Sequence, residues 1–210
     1  MNEVDDKNAV IKWMDNYIDE MIISSPGEIK GYVSKLREQN VGISDYDLAK
    51  KIVGRKAFKN GLVGAATGVG GLITLPITIP IDLVATWKIQ ITTALTVAHV
   101  FGHTHQMTDL KTDVYLILAG SSAQEALKKV GVEVGKAVTK KVIEKHVTKE
   151  VMKKIWRVIP QRIITKAGGK SLLSFSRMVP LIGAPIGFGF DYLGTNTMGK
   201  LAIKYYSGKN

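Results

Sequence analysis

His99, His103 and His105, followed by Asp109 and Asp113, come closest in type to a metal-binding set. Two histidines four residues apart on a helix can share one ion, as in the His-Glu-x-x-His arrangement of zinc peptidases. Here Val100-Phe101-Gly102 supplies no glutamate, and Gly102 is placed to end the helix before His103 aligns with His99. The spacing therefore predicts a solvent-facing histidine turn and no metal centre. The glycine run Gly64 to Gly71 suggests a phosphate loop, but Gly70-Gly71-Leu72 lacks the Lys and Ser/Thr that would hold phosphate and magnesium. Gly68-Val69-Gly70 likewise lacks the third glycine of a dinucleotide fingerprint. There is no cysteine, hence no thiolate chemistry and no disulfide. No Ser/His/Asp ordering or paired carboxylates point to a hydrolase. The residues predict a protein without catalytic groups or cofactor.

Binding chemistry is better represented. Lys141, Lys145, Lys149 and Lys153 form an i, i+4 ridge beside a second ridge of Ile143, Val147, Val151 and Ile155. Trp156 and Arg157 follow, an amphipathic ring and a cation suited to a lipid interface. Asp82 and Asp191 are lone acids in apolar surroundings, where a carboxylate requires a partner or a helix N-terminus. We expect both to be polar contacts of an apolar core. Gly64 and Gly68 form a GxxxG match that allows close helix approach, in lipid or inside a helical bundle. With Gly70, Gly71, Pro76 and Pro80 they define a close-packing, Gly/Pro-rich apolar segment.

The elements that must carry these residues are helical. Val10, Ile11, Met14, Tyr17, Ile18, Met21 and Ile22 recur at three- and four-residue spacing until Ser24-Ser25-Pro26-Gly27 interrupts them. A second helix is predicted over residues 29–39. A third starts at Ser44, an N-cap followed by Asp45 and Asp47. Asn60 to Ile81 and Ile89 to Thr108 contain no Lys, Arg, Asp or Glu. Both have the length of a membrane span, but the glycines and prolines of the first and the threonines and histidines of the second argue against spanning. The first is predicted to run as a Gly-rich helix, a turn near Gly70-Gly71, an extended Leu72 to Ile79 and a new helix from Pro80. Residues 122–159 are predicted to form one amphipathic helix kinked near Gly131 and Gly135.

Charge is distributed unevenly. The net charge is +11, yet residues 1–59 are neutral, residues 60–122 carry −1 and residues 123–210 carry +12. An almost uncharged middle followed by a basic end suits an anionic partner, either phospholipid headgroups or nucleic acid. Only Trp156 interleaves aromatic character with the basic residues of Glu125 to Lys170, which disfavours nucleic acid. Met1 to Lys12 carry Glu3, Asp5 and Asp6 and lack the pattern of a signal peptide, so a cytoplasmic address is expected.

The run Gly64-Ala65-Ala66-Thr67-Gly68-Val69-Gly70-Gly71, continuing through Thr74, Pro76, Thr78 and Pro80 to Asp82-Leu83, resembles the signature of the EcsC family. Ser171 to Ser174, Val179 to Gly187 and Phe190-Asp191-Tyr192 resemble its C-terminal pattern. The resemblance covers residues 55–206 and implies a helical, membrane-linked bacterial protein, with no catalytic residue. One departure is Phe101-Gly102-His103-Thr104-His105, where relatives have an acidic Tyr-Gly-Asp-like turn.

These observations predict an all-α, single-domain helical bundle with a Gly/Pro-rich apolar central segment. Residues 1–54 supply N-terminal amphipathic helices and 55–206 the EcsC-like domain, packed as one unit. The expected function is non-enzymatic: peripheral attachment to, or partial embedding in, the cytoplasmic side of the inner membrane. The partners are anionic lipids or a membrane protein, engaged through the basic helix and an apolar groove. The alternatives are a nucleic-acid-binding module and a membrane-permeabilising protein.

Overall fold

A computed structural model of the chain describes residues 3–69, 81–103, 107–120, 123–129, 131–132, 139–157 and 180–208. Among these residues all regular structure is helical, and no strand occurs. The helices are α1 (Glu3–Ser24), α2 (Pro26–Glu38), α3 (Asp45–Val69), α4 (Ile81–Val100), α5 (Met107–Ala119), α6 (Ala123–Lys129) and α7 (Lys140–His146). They are followed by α8 (149–157) and α9 (Pro180–Ser207). The all-α expectation holds. The turn at Gly70-Gly71 and the extended run to Ile79 lie outside the described residues.

Local chemistry sets several boundaries. Only Ser25 separates α1 from α2, and Pro26, whose missing N–H costs nothing in a first turn, opens α2. The Ser44 hydroxyl accepts the Asp47 backbone N–H at 3.1 Å and donates to the Asp47 carboxylate at 2.7 Å, a reciprocal cap that starts α3 where the sequence predicts. Gly102 ends α4 at φ +79°: His103 N–H reaches the Ala98 carbonyl at 2.9 Å and Gly102 N–H the His99 carbonyl at 3.1 Å.

Among the described residues the predicted single helix over 122–159 is instead divided into α6, α7 and α8. Gly131, at φ +85°, closes α6 with the same pair of reversed hydrogen bonds, Val132 N–H to Leu127 O and Gly131 N–H to Lys128 O. A second interruption falls at Val147-Thr148, where the Thr148 hydroxyl accepts the Val151 N–H at 3.3 Å and caps α8. A threonine satisfying the free amides of a new helix competes with continuing the old one.

α3 and α9 form the most extensive helix pair. Val53 meets Gly199 and Gly61 meets Phe188, so the two run antiparallel. At their crossing, Asn60 is fully buried and donates to the Thr195 hydroxyl at 2.8 Å and the Asp191 carbonyl at 3.3 Å, while Thr86 of α4 donates to the Asn60 carbonyl oxygen at 3.4 Å. α4 completes this centre. Its charge-free second half is buried almost all round, through Ile91 and Thr93 to Ala98. Thr93 and Thr96 tolerate this because their hydroxyls donate to the Ile89 and Thr92 carbonyls one turn back. The apolar run of α4 is thus a core helix, and no helix of the described residues is long and apolar enough to cross a membrane. One apolar cluster links α1 through α9.

The α3–α9 contact rests on glycine. A Cβ at Gly199 would collide with both methyls of Val53, itself 2 % exposed and without room to move. Gly199→Ala should therefore destabilise the fold by about 1–3 kcal/mol through overpacking. Gly31→Ala, on the exposed side of α2 with nothing within 4 Å, should stabilise it by about 1 kcal/mol through helix propensity. Urea denaturation of both variants checks this, and equal effects would mean the α3–α9 contact yields.

Candidate functional site

α5 is a polar hub. Four of its side chains each fasten another part of the fold. Lys111 forms ion pairs with Asp15 at 3.2 Å and Asp19 at 2.7 Å on α1, and the Tyr115 hydroxyl donates to Asp15. Thr112 accepts the Trp156 indole N–H of α8 at 2.9 Å. Asp113, with 0 % exposure, receives the Lys140 ammonium of α7 at 3.0 Å and the Tyr205 hydroxyl of α9 at 2.5 Å. Burial pushes the Asp113 pKa up, and the Lys140 charge and the Tyr205 hydroxyl pull it back. Tyr205 and Tyr206 are both held well above their usual pKa, chiefly by burial and then by the Asp113 charge. The Tyr206 hydroxyl is buried beside them without a hydrogen bond of good geometry.

This hub orients the basic segment. Lys140 is 7 % exposed, and one turn on Ile143 is buried, so the start of α7 is fixed inward. Ile155 of α8 is fully buried, and Val147 and Val151 pack against the core between them. The apolar ridge read from the sequence is therefore committed to the protein interior. Lys141 and Lys145 on α7, and Lys149 and Lys153 on α8, are all exposed, together with Lys154 and Arg157. Two exposed acids, Glu144 and Glu150, share this region with the six cations. On both sides of the break at Thr148 the lysines are exposed while the apolar residues of both helices pack into or against the core.

The other expected site residues are placed as follows. Trp156 is half-buried and turned to α5, its indole N–H on Thr112 and the Lys111 ammonium 5.3 Å from its ring, so it anchors α8 to α5. Asp82 lies in the first turn of α4, as its position after Pro80 predicts. Asp191 is half-buried on α9, at the turn whose carbonyl meets Asn60. Gly64 is buried within α3, and Gly68 lies in the same helix. Gly70, Gly71, Pro76 and Pro80 fall outside the described residues. Among the described residues, no set of three His, Asp or Glu side chains is arranged to hold a metal.

Asp113, Lys140 and Tyr205 went unrecognised in the sequence as a cluster, although two of them left a trace there. Asp113 stands on the same helix face as Leu110 and Ile117, and Lys140 on that of Ile143, so each is a charge on an apolar ridge. Tyr205 left no such mark.

Removing one partner of a buried ion pair is far costlier than replacing both. In Lys140→Met, loss of the cation raises the Asp113 pKa further above its unfolded value of 3.8. Stability tied to a raised pKa is present below the unfolded pKa and is lost as pH rises through the folded one. The variant should lose about 3–5 kcal/mol at neutral pH. That deficit should narrow as urea denaturation is repeated from about pH 8 down to about pH 4.5. Adding Asp113→Asn should return most of the loss at neutral pH, whereas a deficit independent of pH would place its origin away from this carboxylate.

No curated protein and no solved structure matches the chain. The model of the EcsC protein family matches residues 8–208, taking in α1 and α2 as well as the segments whose motifs resemble the family. The chain belongs to the EcsC family.

Proposed function

We propose that this protein is a non-enzymatic, peripheral membrane-binding protein that docks on the anionic cytoplasmic leaflet of a bacterial inner membrane through the basic face of α7 and α8. The observation that carries this reading is the shared outward orientation of Lys141, Lys145, Lys149 and Lys153, with Lys154 and Arg157 beside them. None of these lysines pairs with an acid among the described residues, so their charge is open to an external partner. A one-sided excess of one sign exceeds what solubility requires.

Because Ile143 and Ile155 are buried in the core, docking is electrostatic, without insertion of an apolar helix face. Such attraction decays within a Debye length of the surface and is weakened by salt. Each basic residue near an anionic leaflet contributes about 1 kcal/mol. Replacing the four ridge lysines by Gln should therefore lower affinity for phosphatidylglycerol-containing liposomes roughly a thousand-fold at low salt. Co-sedimentation measures this, with duplex DNA as competitor in a parallel series. Unchanged liposome binding would overturn the reading, and stronger binding to DNA than to liposomes would replace it with the nucleic-acid alternative.

A further inference from the structure

A second feature, on different elements from the lysine face, is a pocket of about 450 Å³ where α1 turns into α2 at Pro26, against the last turns of α4 and the first of α5. That volume lies in the range of about 300–1,000 Å³ typical of small-ligand sites. Its interior is aliphatic: Met21, Ile22, Ile29, Leu95 and Leu110 contribute, with Ile22 and Leu95 buried. Among the described residues its polar lining is Lys30, His99 and His103, with no acidic side chain.

Burial, and after it the charges of Lys30 and Arg37, hold His99 below its usual pKa. Arg37 itself is taken up by Asp45 at 2.6 Å and does not line the pocket. His103 Nε2 lies 3.3 Å from the Tyr206 carbonyl oxygen, which seats the ring against α9. A ligand complementary to this lining has a narrow apolar body and an anionic end.

We propose that this pocket binds a single-chain anionic amphiphile, the chain lying against Met21, Ile22, Leu95 and Leu110 and the carboxylate or phosphate end meeting Lys30, His99 and His103. The size of the pocket suits one chain and not the paired chains of a bilayer phospholipid, so the ligand is a free amphiphile. An anion there answers the Lys30 ammonium.

The test is calorimetric titration of the full chain with sodium dodecanoate, monododecyl phosphate, dodecanol and dodecyltrimethylammonium, each below its micelle concentration, with histidine ring protons followed by NMR. Saturable one-to-one binding of an anionic probe, at least ten-fold tighter than the cationic one and shifting the His99 and His103 signals, is the expected result. Whether dodecanoate or the phosphate binds more tightly tells which headgroup the site prefers. From octanoate to dodecanoate each added methylene should tighten binding about four-fold. Lys30→Gln, an exposed position that leaves the core intact, should reduce dodecanoate affinity at least ten-fold and leave dodecanol unchanged. Equal affinity for anion and cation, unmoved histidine signals or the absence of saturable binding would overturn the proposal. The four-lysine Gln variant should bind dodecanoate normally; loss of binding there would assign the anion to the α7–α8 face instead and likewise overturn it.

Discussion

A carboxylate with no exposure to water is tolerated only if a cation and hydrogen bonds replace its hydration, and the arrangement of this protein's second half follows from how Asp113 meets that demand. Lys140 and Tyr205 answer it from helices that lie 27 and 92 residues further along the chain. The pair leaves little freedom for α7, because moving α7 outward would strand a charge in the core. Lys111, Thr112 and Tyr115 extend the same logic along α5, tying α1 and α8 to it. Buried ion pairs add little net stability against an apolar replacement. What this one contributes is placement, since an apolar contact would allow α7 to slide where a paired charge does not.

That placement gives the lysine ridge its meaning. An amphipathic helix free in solution can insert its apolar side into a bilayer. Here that side is already occupied by the protein core, through Ile143 and Ile155. The lysines are thereby displayed as a fixed array with water on one side. The array is well suited to a charged surface and poorly suited to insertion, which is why the functional reading rests on electrostatics. Trp156 follows the same rule: half-buried on Thr112, it stabilises the array from behind.

At the centre, α3, α4 and α9 use small and self-satisfied residues to pack closely. Gly61 and Gly199 admit the Phe188 ring and the Val53 methyls, and Asn60 closes a hydrogen-bonded junction among the three helices. α4 carries threonines that return their hydroxyls to their own helix. This accounts for a long charge-free stretch in a helix surrounded by other helices. At the crossing Gly61 admits Phe188 and Gly199, 138 positions away, admits Val53, a pairing of segments that periodicity within one of them does not reveal.

The sequence by itself determined the helical character, the positions where local chemistry is self-contained and the family. Ser44 with Asp47 and Gly102 act on backbone groups within a few residues, so the start of α3 and the end of α4 could be read without knowing the fold, whereas α2 begins at Pro26, ahead of the expected start at Ile29, because proline fits a first helical turn. Gly131, expected as a kink, ends α6 outright, and the strong lysine and isoleucine periodicity concealed the second break, at Thr148. The lysine ridge was equally legible, because helical spacing alone sets it. Tertiary structure decided which side of that ridge meets water, which acid is buried and where a pocket opens. Those outcomes depend on long-range pairings, Asp113 with Lys140 and Tyr205, Lys111 with Asp15, His103 with Tyr206. A charge on an apolar face becomes a fastening only when its partner arrives from elsewhere in the chain.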